Sequence, residues 1–269
     1  MTRIRVACQT FTWEMLGPDW HGSVSSILDW IAAAGYAGVE ITNHLIGEFF
    51  AAPDDFQSEL SRRGLALAAF GFGATGFSDP LTWDEDIAGL NQAIEFLRHF
   101  PEPRLALGGA SSPHRLDDGH KLNSAIRFYN EAGRLGRAAG VSVNVHPHSN
   151  HGSLVESAAE YRYLVDRLDP DLVSFGPDTG HIVRGGQDLL TCLRTYLPRI
   201  THLHLKDVDG NGNWTGLGRG VCDFPAVLAL LEESAYGGWV VAEEESFAAR
   251  EDGVRAIREN RAYLRSIGY

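Results

Sequence analysis

The stretch VNVHPHSN, residues 143–150, ends an apolar run in a cluster of histidines, with His146 and His148 inside it and His151 just beyond. Eleven histidines occur in 269 residues, so three past one expected strand is a concentration. Its meaning depends on how the other strands end.

Working outward, short β-rich runs alternate with longer segments of helical periodicity. Strands are expected near residues 4–10, 37–42, 65–70, 104–109, 141–146, 172–177, 200–205 and 239–244. Helices are expected near 22–34, 54–63, 83–99, 120–139, 154–168, 187–196, 224–235 and 248–266. Gly35, Gly64 and Gly140 stand where helices stop, and Asp54 and Asp223 where helices start. No linker or low-complexity tract divides the units. Eight βα units in one chain predict an α/β fold, a single (β/α)8 TIM barrel domain over residues 1–269. A doubly wound sheet normally uses fewer strands at this length.

Barrel active sites lie where strands end and βα loops begin. Strand five ends in His146-Pro-His148, and strand six in Asp178-Thr-Gly-His181. Strand seven carries His202, His204, Lys206 and Asp207, and strand eight ends in Glu243-Glu244-Glu245. One histidine at a strand end is by default a hydrogen-bonded loop residue. Four adjacent strands delivering histidine or carboxylate to one rim point instead to a divalent cation. Side-chain alternation selects His204 over the deeper His202, and Glu243 over Glu244, which points the other way, to solvent or to the helices.

The net charge of −12 argues against a nucleic-acid or anionic-membrane surface. No run reaches the length of a membrane helix. Cys8, Cys192 and Cys222 are scattered and odd in number, and MTRIRVACQTF carries no signal-peptide core, so a reducing cytoplasm is expected. GFGATG (71–76) matches a nucleotide-loop spacing, but FSDP follows where a helix should open, so it reads as a plain βα loop.

VNVHPHSN, FGPDTGH, RITHLHLKDV, GLGRGVCDF and YGGWVVAEEE follow one another in an order that resembles the xylose isomerase-like (β/α)8 superfamily. That group holds sugar isomerases, epimerases, inosose dehydratases and endonuclease IV. The resemblance implies one divalent metal on four ligands, which fall here on His146, Asp178, His204 and Glu243. Mn2+ comes first, with Co2+, Zn2+, Fe2+ or Mg2+ behind it. His181 is implied to touch substrate. Most relatives end strand five in Glu, so His146-Pro-His148 is a departure. It looks most like the inosose dehydratase branch, and the large subunits of C-glycoside deglycosidases are also similar.

The chemistry so implied is removal of the proton beside a carbonyl of a ketosugar, ketocyclitol or keto-glycoside. Epimerases use two facing glutamates, of which only Glu243 remains here. With Glu243 as base and His146 or His148 as acid, β-elimination is favoured over isomerisation or 3-epimerisation. Lys206 is a further catalytic candidate, holding a substrate oxygen or stabilising an enolate, with an interior salt bridge to Asp207 or Glu243 as the equal alternative. Glu40 and Trp13 join His181 and His148 as substrate-binding candidates, although a structural role is the default for Glu40 and core packing for the tryptophan. His114, His120 and His151 are expected to be bystanders. Relatives imply a homo-oligomer, with a small β-rich second subunit in the deglycosidase group. An endonuclease IV-like phosphoesterase would need further ligands after strand three, where AAFGFGATG has none. A non-catalytic partner subunit would have lost ligands that are present here.

Overall fold

The computed structural model describes residues 4–112, 118–149 and 152–269. His114 and His151 lie outside them, and His120 is exposed. Eight parallel strands form the sheet: β1 (Arg5–Gln9), β2 (Gly38–Thr42), β3 (Ala66–Phe72), β4 (Arg104–Gly108), β5 (Ser142–His146), β6 (Val173–Phe175), β7 (His202–Leu205) and, last in the chain, β10 (Trp239–Ala242). Between β7 and β10, the pair β8 (Asp207–Val208) and β9 (Trp214–Thr215) makes a separate antiparallel ladder. The strand order runs from β6 down to β1, then β10 and β7. Isolated bridges from Phe175 to Ile200 and from Asp178 to His204 link the β6 and β7 segments and nearly close the barrel. The expected TIM barrel is therefore the fold.

The helices are α1 (Phe11–Glu14), α2 (Val24–Ala34), α3 (Pro53–Ser61), α4 (Trp83–Leu97), α5 (Asp118–Ala139), α6 (Ala158–Val165), α7 (Thr179–Arg184), α8 (Leu189–Tyr196), α9 (Phe224–Glu233), α10 (Phe247–Glu251) and α11 (Gly253–Ser266). Side-chain oxygens start many of them. Ser23 accepts from Ser26 N, Asp223 from Ala226 N, and Ser157 with Glu160 forms a reciprocal cap on α6. Gly35, Gly64 and Gly140 adopt left-handed φ after their helices. Asp54 differs from expectation: α3 opens on Pro53, so Asp54 sits in the first turn and caps nothing.

Three other differences matter for the site. Residues 11–14 turn into a helix directly after β1, which re-aims Trp13. Asp178 opens an extra helix, α7, by accepting from His181 N. The expected last helix is broken at Asp252, whose carboxylate caps α11.

Inside the barrel, Ala7, Ala68, Trp239 and Val241 form a small apolar floor, separate from the large core between strands and helices. Strand alternation places Gln9, Glu40, His202, His204 and Glu243 above it, toward the C-terminal mouth. Outside, α5 approaches the sheet closely because it has glycines on its inner face. A Cβ on Gly136 would stand 2.6 Å from Val143 Cγ2 and 2.8 Å from the Val141 carbonyl oxygen. Gly136→Val should therefore cost about 1–3 kcal/mol, read as a lower urea midpoint. An unchanged midpoint would show slack between α5 and β5.

Candidate functional site

A cavity of 340 Å³ opens at the C-terminal ends of the strands. His146, Asp178, His204 and Glu243 meet beside it. One ligand atom from each lies within 4.8 Å of all the others, and all four residues are buried. Each arrives by a different route. His146 is the last residue of β5, Asp178 the N-cap of α7, His204 an inward residue of β7, and Glu243 the first residue past β10.

Neighbouring groups fix the tautomers. His146 Nδ1 donates to the Gly176 carbonyl at 2.8 Å, and a carbonyl only accepts. Its Nε2 is left as a bare lone pair. Burial, aided by the charges of His204 and His148, holds His146 well below the usual imidazole range. His146 is thus a buried neutral imidazole whose Nε2 lone pair faces the cluster. His181 is fixed the other way. Ser149 N–H donates to its Nδ1 at 2.8 Å, so Nε2 carries the proton. His181 lines the cavity as a neutral donor.

The carboxylates outnumber their counter-charges. Burial alone would lower His204, but Glu40 and Glu243 outweigh it and hold the ring well above its ordinary pKa. Its Nδ1 is 2.5 Å from Glu243 Oε2. Lys206, also buried, lies 3.0 Å from Glu243 Oε1 and pairs with Glu245. Both Glu243 oxygens are therefore engaged, and its carboxyl is held well below the usual range by Lys206 and His204 against the pull of burial. In this arrangement neither oxygen is free to take a proton from substrate. Asp178 is the group left over. Burial pushes it up to about 6, and its Oδ2 has no hydrogen-bond partner. Four carboxylates (Glu40, Asp178, Glu243, Glu245) face two cations (His204, Lys206), leaving two negative charges when all are ionised. Two imidazoles, two carboxylates and an orphaned buried oxygen suit a Mn2+, Co2+, Fe2+ or Zn2+ ion.

The other expected residues fall in different places. His148 lines the cavity, with ring contacts to His146 and His181 and a pKa pushed down to about 4 by burial. Glu40 lines it too, but its oxygens are taken by Gln9, His202 and His204. Glu244 faces α11, accepting from Asn260 at 2.8 Å. Trp13 is a correction. The helical turn of α1 sends it into the core, 4% exposed and stacked on Trp30, while Phe11 and Glu14 reach the cavity instead.

Several lining residues were not singled out in advance: Glu245, Trp214, Arg184, Thr42 and His44. Burial pushes Glu245 up to about 7, although Lys206 opposes it. Trp214 returns to the mouth on the β8–β9 ladder. Its ring lies 4.2 Å from the Arg184 guanidinium and 4.3 Å from Lys206 Nζ. Gly180 makes room for it, since a Cβ there would meet the indole at 2.8 Å. Asp207 anchors the loop by accepting from the backbone N–H of Gly218, Gly220 and Cys222.

Known proteins share this architecture. The inosose dehydratase of Lacticaseibacillus casei is 28% identical over 271 residues, covering 88% of this chain and 87% of its own. The IolI protein, solved with a bound zinc atom, superposes with a TM-score of 0.83 at 14% identity, covering 98% of both chains. The 3-keto-D-glucoside 4-epimerase of E. coli superposes with a TM-score of 0.76 at 19% identity, covering 98% of this chain and all of its own. These last two likenesses are of fold. The xylose isomerase-like TIM barrel profile matches residues 28–267, and the chain belongs to that family.

Proposed function

We propose that this chain is a divalent-metal-dependent enzyme that removes the proton beside a carbonyl of a ketosugar or ketocyclitol and eliminates water. The observation that carries the reading is the buried cluster of His146, Asp178, His204 and Glu243, with its excess of negative charge, at the base of the cavity. The likeness to inosose dehydratase supports a ketocyclitol substrate. Keto-glycosides are the next substrates to test.

A divalent ion on these four residues supplies positive charge beside the carbonyl oxygen and so acidifies the neighbouring C–H bond. The proton steps belong to the protein. His148 and Glu245 line the cavity, and their environments push their pKa values apart, which marks a base and an acid. His148, neutral at pH 7, takes the α-proton. Glu245, poised near 7, gives its proton to the departing β-hydroxyl, which leaves as water. Lys206 steadies Glu245, and the His181 Nε2–H donates to a substrate oxygen. Trp214 offers a face for the carbon skeleton.

Epimerisation is the second reading, favoured by one feature. Two proton-transfer groups on one cavity are also what moving a proton between faces requires. Product analysis separates the two. A ketoinositol incubated with the metal-loaded enzyme should yield a dehydrated product, and chelation should stop the reaction. A deuterated epimer formed in D2O with no loss of water would replace elimination by epimerisation. No turnover of any ketosugar, ketocyclitol or keto-glycoside would end the enzymatic reading.

The roles predict distinct losses. Glu245→Gln should keep its metal and lose roughly 10²–10⁴-fold in kcat. Trp214→Ala should raise KM roughly two- to tenfold with kcat little changed. A Glu245→Gln enzyme of full activity would remove the acid assignment.

Metal uptake should also release protons. His204 is an imidazolium beforehand and must give up Nδ1–H to coordinate, while Asp178 sheds its share below about pH 6. Affinity should therefore rise with pH. Calorimetry in buffers of different ionisation enthalpy should show about one proton released per ion at pH 7. No release would mean that His204 does not coordinate through that nitrogen.

A further inference from the structure

We propose that Glu40 is a positioning residue for the metal, holding the Nε2–H of His204 so that Nδ1 is the coordinating atom. The inference rests on the reading that the four-residue cluster takes a divalent ion. Glu40 is 2% exposed, and its carboxylate is surrounded by donors. Gln9 Nε2 donates to Oε1 at 2.8 Å and His202 Nε2 to Oε2 at 2.5 Å. His204 Nε2 stands 3.0 Å from Oε1 and 3.1 Å from Oε2, straddling both. Three donors converge on the one carboxylate, which accepts from each of them.

A neutral imidazole has one N–H. Glu40 claims it at Nε2, which leaves the lone pair at Nδ1, on the Glu243 side of the ring. A carboxylate behind a coordinating histidine fixes the tautomer, aims the ring and raises its basicity. The brace is itself held. Gln9 Oε1 accepts from Thr10 N and Phe11 N, so its amide nitrogen must face Glu40. His202, with Nε2–H directed at Glu40, supports the carboxylate from the barrel interior. The start of α1, which carries Phe11 and Glu14 into the cavity, is thereby connected to the cluster through Gln9, Glu40 and His204. Glu40 spends its oxygens on this brace and is not a substrate contact.

The test uses the full-length protein, labelled with 15N-histidine and loaded with 113Cd2+. NMR should show 113Cd coupling to His204 Nδ1, with Nε2 protonated. Coupling to His204 Nε2 would overturn the proposal without any mutation. Glu40→Gln keeps the shape and removes the charge, and should weaken the Kd for Cd2+ roughly 10–100-fold. Asp178→Asn is the control for the underlying reading. Loss of binding in Asp178→Asn with an unchanged Kd in folded Glu40→Gln keeps the metal site and removes the brace. No binding by the wild type removes both. If Glu40→Gln does not fold, the wild-type coupling pattern decides alone.

Discussion

A buried carboxylate needs a counter-charge, and this barrel gathers more carboxylates at its mouth than it has cations to match. Much of the site's arrangement follows from that imbalance. Lys206 is divided between Glu243 and Glu245, and His204 bridges Glu40 and Glu243 as an imidazolium. Asp178 keeps one oxygen without a partner. A divalent ion there would bring two positive charges for the one that His204 gives up on becoming a ligand, and would satisfy the orphaned oxygen. On this view the ion is part of the charge balance of the fold as well as of the chemistry.

The scaffold supplies direction. Parallel strands with a two-residue side-chain period point His204 and Glu40 inward from different parts of the ring. Asp178 does double duty: Oδ1 caps α7, and Oδ2 remains in the cluster. The Gly176 carbonyl turns His146 into a lone-pair donor, and Ser149 turns His181 into an N–H donor. Main-chain groups therefore set which histidine can coordinate and which can donate. Imidazole identity alone does not.

The barrel was legible in the sequence because it depends on local periodicity, and the four-residue cluster because strand ends rich in histidine and carboxylate carry the family resemblance that implies it. Alternation along THLHLKD and WVVAEEE put His204 and Glu243 on inward faces, and the spatial order of the strands did the rest. What was not legible depends on contacts between distant segments. Alternation also put Glu245 inward, but only the structure shows that Glu243 has both oxygens occupied while Glu245 is poised near neutral pH. Trp214 reaches the mouth because the chain after β7 folds back as a short ladder onto Gly180, a packing relation with no sequence period. Trp13 failed for a related reason. The turn into α1 comes immediately at Thr10, and one helical turn rotates the indole from the mouth into the core.

The proposed chemistry turns on one divalent ion belonging among His146, Asp178, His204 and Glu243. Anomalous diffraction from crystals grown with Mn2+, recorded on both sides of an absorption edge accessible for that ion or for Co2+ in its place, tests it most directly. A single strong anomalous peak is expected in contact with those four side chains, with His204 Nδ1 as the nearest atom of its ring. No peak there in crystals that hold the ion elsewhere, or a peak bound by Glu40 and His202 instead, would contradict it.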